Sequence, residues 1–110
     1  MADFYIKKGD LLPAIVAVLK DENGAVIDLS TGVDSVAFHM VKQGSETVAV
    51  DEAATITDGP NGEVTYLWSG TDTDDDGSFF GEFEVTWTGG KTTTFPNYRF
   101  LDIKIRGEIA

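Results

Sequence analysis

The chain has no cysteine, a single histidine and three prolines. Without Cys there is no disulfide framework, no thiolate nucleophile and no zinc–thiolate site. With His39 alone, no histidine pair can hold a metal within one chain. No apolar run approaches ~18 residues, so no segment reads as a membrane-spanning helix. The first residues, Met1-Ala2-Asp3-Phe4-Tyr5-Ile6-Lys7-Lys8, place no apolar stretch behind their charges, as a secretory signal would. Helical periodicity is missing too: no segment sustains apolar residues at i, i+3, i+4 and i+7.

Bases are missing from the middle of the chain. Between Lys42 and Lys91 there is no Lys or Arg, yet 11 of the 19 acids lie there. The other 8 acids match the 8 bases, so the whole net charge of −11 belongs to that stretch. A surface of this kind repels phosphate backbones and anionic membranes, which disfavours nucleic-acid and membrane partners. It suits solubility, a basic protein partner or a cation. The expectation is a fold with one strongly acidic end.

What is present is a β pattern. A length of 110 residues with 42% hydrophobic content suits one globular domain over 1–110. Behind Pro13, Ala14–Leu19 is a β-branched run, with Val16 and Val18 expected inward. Asp21-Glu22-Asn23-Gly24 is a turn, since Asn-Gly reaches positive φ at little cost. Val26–Leu29 follows as a short strand. Ser35–Val41 alternates, with Val36, Phe38 and Met40 on one face and Ala37, His39 and Val41 on the other. Thr47–Val50 and Ala53–Thr57 are two further short strands, and Glu63–Trp68 faces Val64, Tyr66 and Trp68 one way. Phe79–Trp87 puts Phe79, Gly81, Phe83, Val85 and Trp87 inward and Phe80, Glu82, Glu84 and Thr86 outward. A Thr88-Gly89-Gly90-Lys91 hairpin turn leads into Thr92–Phe95, and Phe100–Arg106 is the last strand. Phe4–Lys8 and Leu101–Arg106 are the candidate outer strands, with Lys7, Lys8, Lys104 and Arg106 as charges that block edge pairing. Seven to nine short strands with frequent turns predict an all-β, immunoglobulin-like antiparallel β-sandwich. Asp75-Asp76-Gly77-Ser78-Phe79-Phe80-Gly81 follows the Asp-x-Gly-x-Tyr-x-Cys corner of such domains, with Phe79 at the Tyr position and Gly81 at the Cys position.

Few constellations could carry chemistry. Asp72-Thr73-Asp74-Asp75-Asp76-Gly77 fits the first half of a calcium loop, in which alternate carboxylates converge on a hard cation. Its candidate ligands are Asp72, Asp74, Asp76 and the carbonyl of Ser78. Phe83 stands where a bidentate Glu is needed, so calcium held there would be held weakly; no other cofactor is expected. His39 has no evident Ser or Cys partner for a triad. Glu82 and Glu84 are neighbours on one strand face, as a glycosidase carboxylate pair would be, with no implied cleft. Tyr66, Trp68, Phe80 and Trp87 could line a carbohydrate platform, but all except Phe80 are in phase with the core. These patterns predict no catalytic residues and no enzyme; the alternative to a structural role is a carbohydrate- or calcium-dependent binding module.

The order of motifs is more specific than any one of them. Lys7-Lys8-Gly9-Asp10-Leu11-Leu12-Pro13 precedes Leu19-Lys20-Asp21-Glu22-Asn23-Gly24-Ala25-Val26-Ile27-Asp28-Leu29. Val36-Ala37-Phe38-His39-Met40 and Gly62-Glu63-Val64-Thr65-Tyr66-Leu67-Trp68 follow. Gly77-Ser78-Phe79-Phe80-Gly81-Glu82-Phe83-Glu84-Val85 then leads to Gly90-Lys91-Thr92-Thr93-Thr94-Phe95-Pro96-Asn97. From about Lys7 to Ile105 this resembles the immunoglobulin-like N-terminal domain of the bacteriophage baseplate upper protein family. The resemblance implies a β-sandwich and a non-enzymatic structural role in a phage virion, in the tail, baseplate or head. It further implies docking on other phage structural proteins, homo-oligomeric assembly, and solubility in the host cytoplasm before assembly. Family members continue into further segments while this chain ends at Ala110, so it is expected to be an excised domain or a stand-alone relative. Assembly is expected through a neutral face, with the acidic loop turned outward or against a basic partner.

Overall fold

The computed structural model describes residues 2–109, which form eight strands and no helix. The strands are β1 (Phe4–Lys7), β2 (Ile15–Val18), β3 (Val33–Lys42), β4 (Val48–Asp58), β5 (Glu63–Tyr66), β6 (Gly77–Trp87), β7 (Thr92–Phe95) and β8 (Leu101–Arg106). Hydrogen bonding runs β1-β8-β6-β3-β4-β5-β2, with β7 also on β6. The path folds back on itself within β4, where Val48–Ala54 pairs with β3 and Thr55–Asp58 pairs with β5. One layer is therefore β1, β8, β6, β3 and the first part of β4; the other is the rest of β4, β5 and β2. Along the free side of β6, β8 covers Gly77–Gly81 and β7 covers Phe83–Thr86. The orders β8-β6-β3 and β2-β5-β4 match the G-F-C and B-E-D orders of immunoglobulin-like sandwiches.

Rings close the two layers on each other. Phe38 of β3 stacks on Tyr66 of β5 with centroids 4.7 Å apart, and Phe83 of β6 lies 5.0 Å from Phe38. Trp68 meets Phe38 edge-on and lies 5.9 Å from Phe4. The strict alternation of β6 makes this possible: Phe79, Gly81, Phe83 and Val85 are buried, while the residues between them are half-buried on the outer face. Gly81 has to be small. A Cβ there would stand 2.6 Å from Ile103 Cδ1 and 3.3 Å from the Phe38 ring. Ile103 and Phe38 thus fill the space beside the position where antibody domains carry a disulfide cysteine.

Several expectations are corrected. The sheet is mixed, because β1 runs parallel to β8 from Phe4↔Ile103 to Lys7↔Arg106, while the other strand pairs are antiparallel. For the same reason β8 is not an outer strand; β1 covers it. In β2 the phase is inverted: Ile15 and Leu19 are buried, while Val16 and Val18 are 55% and 45% exposed. Ala14–Leu19 is apolar throughout, so it carries no alternation from which to read a phase. Val26–Leu29 makes a single bridge, Lys20↔Val26, and no strand. Its amides diverge: Ile27 N–H bonds to the Leu19 carbonyl, Leu29 N–H to the Gly59 carbonyl, and Asp28 Oδ1 accepts from both Ser30 N–H and Ser30 Oγ. Thr47–Val50 and Ala53–Thr57 fuse into the single strand β4, because Asp51 and Glu52 are exposed and do not interrupt it. The strand expected to run to Trp68 stops at Tyr66, although Trp68 is buried. The Asn23-Gly24 turn forms as expected, with Gly24 at φ 85° and Asp21 Oδ1 accepting from the amides of Asn23 and Ala25.

Candidate functional site

Register assembles two rows of side chains on the outer face of the first layer. Across β4, β3 and β6, His39 stands opposite Asp51 on one side and Glu82 on the other. Its Nδ1 is 3.0 Å from Glu82 Oε2 and its Nε2 is 3.3 Å from Asp51 Oδ1. The Glu82 contact is a hydrogen bond, whereas Asp51 stands only within ion-pair distance of the ring. The second row, two residues further along β3, is apolar: Val41 stands opposite Val48 of β4 and Phe80 of β6. Phe100, just ahead of β8, packs its ring 5.1 Å from Phe80.

A β-bulge joins the rows. The β3–β4 register shifts between Met40 and Val41, pairing Met40 with Val50 but Val41 with Val48, so that Ala49 is an extra residue. Strict alternation would put Val48 and Asp51 on opposite faces; one extra residue brings them to the same one. The result is a shallow, mainly apolar cavity of about 230 Å³ lined by His39, Val41, Val48, Phe80, Glu82 and Phe100, with Asp51 and the neighbouring Met40 and Gly81 completing it. Val48 and Phe100 remain 58% and 51% exposed. No Ser, Thr, Cys or Lys lines the cavity. Glu84 is not part of it: Ala37 and Thr94 stand opposite Glu84, one row away from Glu82.

The acidic loop is arranged differently. Asp72 turns inward, where Oδ2 accepts from Tyr66 Oη at 2.5 Å and from Ser69 N–H at 3.0 Å. Burial, reinforced by this carboxylate, pushes the Tyr66 hydroxyl well above the ordinary phenol range. Thr73 is fully buried and donates from Oγ1 to the Asp10 carbonyl at 2.8 Å. Asp74, Asp75 and Asp76 are exposed, and Asp75 pairs with Lys42 Nζ at 3.1 Å. The Ser78 hydroxyl accepts from Lys104 Nζ at 2.6 Å. Among the described residues no three His, Asp or Glu side chains converge as metal ligands, and the Ser78 carbonyl, the expected fourth ligand, accepts from Gln43 N–H at 2.9 Å. The loop is also tied to the segment after β1, where Gly9 donates its N–H to the Thr73 carbonyl. Of the four aromatic residues singled out, Tyr66 and Trp68 are buried, Trp87 is half-buried with Nε1 donating to Thr93 Oγ1, and Phe80 alone opens onto the outer face.

Sequence patterning identified Phe80 and the outward phase of His39 and Glu82, but not Asp51, Val48 or Phe100 as their neighbours. Cross-strand register and a bulge bring those together, and neither leaves a local signal. Compared with known proteins, the chain matches no family model and no curated protein. No helix among the described residues is long and apolar enough to cross a membrane.

Proposed function

We propose that this chain is a non-enzymatic docking module of a phage particle, binding other structural proteins through the outer face of β4, β3, β6 and the start of β8. The observation that carries the reading is the apolar row in which exposed Val48 and Phe100 flank half-buried Val41 and Phe80 on the sheet. Apolar side chains gathered in this way mark interaction surfaces. The cavity is smaller than the ~300–1,000 Å³ usual for small-molecule sites. The imidazole of His39 has carboxylates on both sides and no nucleophile to activate. The particle setting rests on the motif order from Lys7 to Ile105. Peptide mass spectrometry of density-purified particles, from a strain that carries the gene, tests the proposal. The protein should be present in fixed ratio to a head or tail protein. Abundance in the cells with absence from the particles would overturn it.

A further inference from the structure

We infer that the partner segment is basic: an aliphatic or aromatic side chain fills the cavity over Val41, Val48, Phe80 and Phe100, and an Arg or Lys two residues away along an extended chain meets Asp51 and Glu82. The inference rests on the docking reading above and adds the chemistry of the partner. Its first support is charge that the fold leaves uncompensated. Among the described residues Asp51 and Glu82 form ion pairs with His39 alone. Two cations stand near this face and both are engaged: Lys104 by Ser78 Oγ at 2.6 Å and Asp102 Oδ1 at 3.5 Å, and Arg99, which shares a cleft with Glu82 and Phe100, by Asp3 Oδ2 at 2.8 Å. Farther off, Asp75 has Lys42.

Its second support is placement. Asp51 and Glu82 flank the same β3 residue, His39, about 7 Å along the strand from the apolar row, which is the spacing of alternate residues in an extended segment. His39 hydrogen-bonds Glu82 but not Asp51, so a guanidinium can supply the Asp51 carboxylate with donors in two-pronged geometry. The chain's charge of −11 draws basic partners toward the surface. A second copy on the same face would set Asp51 and Glu82 against their equivalents, which like charge opposes.

The test is a nitrogen-15 NMR titration of the full chain with three acetylated, amidated pentapeptides: Arg-Ser-Leu-Ser-Arg, Ser-Ser-Leu-Ser-Ser and Glu-Ser-Leu-Ser-Glu, in which the outer residues share a face with Leu. The Arg peptide should shift the amides of His39, Val41, Phe80 and Glu82 and bind about fivefold more tightly than the Ser peptide, as two partly exposed ion pairs provide. Raising the salt to about 0.5 M should erase that preference. Asp51→Asn and Glu82→Gln should each reduce it and leave binding of the Ser peptide unchanged. Equal affinity for the Arg and Ser peptides on this face would overturn the basic partner and leave docking standing. Arg-peptide shifts confined to Asp74–Asp76 would overturn the placement, as would an absence of shifts at the face with every peptide; particle composition then judges the docking reading by itself. Concentration-dependent shifts of the same amides without peptide would overturn the inference in favour of a second copy.

Discussion

Phe83 and Gly81 stand two residues apart on β6 and are tightly packed for opposite reasons. Phe83 is fully buried against Phe38, so Phe83→Ala should cost about 3–5 kcal/mol in urea unfolding, as emptied aromatic sites do. A loss under ~1 kcal/mol would mean that the site is not closed. At Gly81 the strain comes from an added methyl group, which would meet Ile103 Cδ1 at 2.6 Å. Gly81→Ala should therefore destabilise by about 1–3 kcal/mol through overpacking, and an unchanged midpoint would show that Ile103 can move away freely. Asp3 carries a pH signature. Burial alone would raise its carboxyl, but hydrogen bonds from Arg99 and the Asp102 amide, with the Arg99 charge, outweigh that and hold it below the ordinary value. A depressed folded value means that the stabilisation is complete above the unfolded carboxyl's pKa near 4 and fades as pH falls through the folded value. Asp3→Asn should lower the melting temperature at neutral pH, and the gap to the parent should narrow as the pH falls below the ordinary carboxylate range. A gap that stays constant on acidification would assign the loss to packing instead of charge.

Among the elements, β2 offers the sharpest contrast, because its exposed and buried residues are both aliphatic. Ile15→Ala should cost about 2–5 kcal/mol, whereas Val16→Ala should stay within about 0.5 kcal/mol. The reverse order in thermal melts would restore the phase expected from the sequence. Elements with strict alternation and a marked turn were legible. The inward set Phe79, Gly81, Phe83 and Val85 is as expected, and Thr92–Phe95 forms β7 behind the Gly89-Gly90 turn. Legibility failed where the period-2 signal was absent or broken. Ala14–Leu19 has no polar position to set its phase. Thr47–Val50 and Ala53–Thr57 are separate stretches in the sequence, but β4 runs through the intervening Asp51 and Glu52 with both exposed. The parallel pairing of β1 with β8 joins the two ends of the chain, and no local pattern encodes it. The candidate site meets the same limit: alternation turns His39 and Glu82 outward, but their meeting with each other and with Asp51 depends on register, and Val48 reaches the face only through the Ala49 bulge.

At the scale of the whole molecule, the acid-rich stretch does not simply form one acidic end. Its loop at Asp72–Asp76 lies beside Lys42 and the end of β1, while Asp51 and Glu82 reach the middle of the outer face. The expected neutral assembly face gives way, in the proposal, to an apolar row edged with carboxylates. Docking through that row is the central claim, and paired Val48→Glu and Phe100→Glu substitutions address it most directly, since both side chains are more than half exposed and their loss leaves the core intact. The measurement is the copy number of this protein in purified particles by quantitative mass spectrometry, with the variant matched to the parent in circular dichroism and melting temperature. The account predicts that the parent is incorporated and that the folded variant remains in the unassembled fraction. A variant incorporated at the parent's level would contradict it.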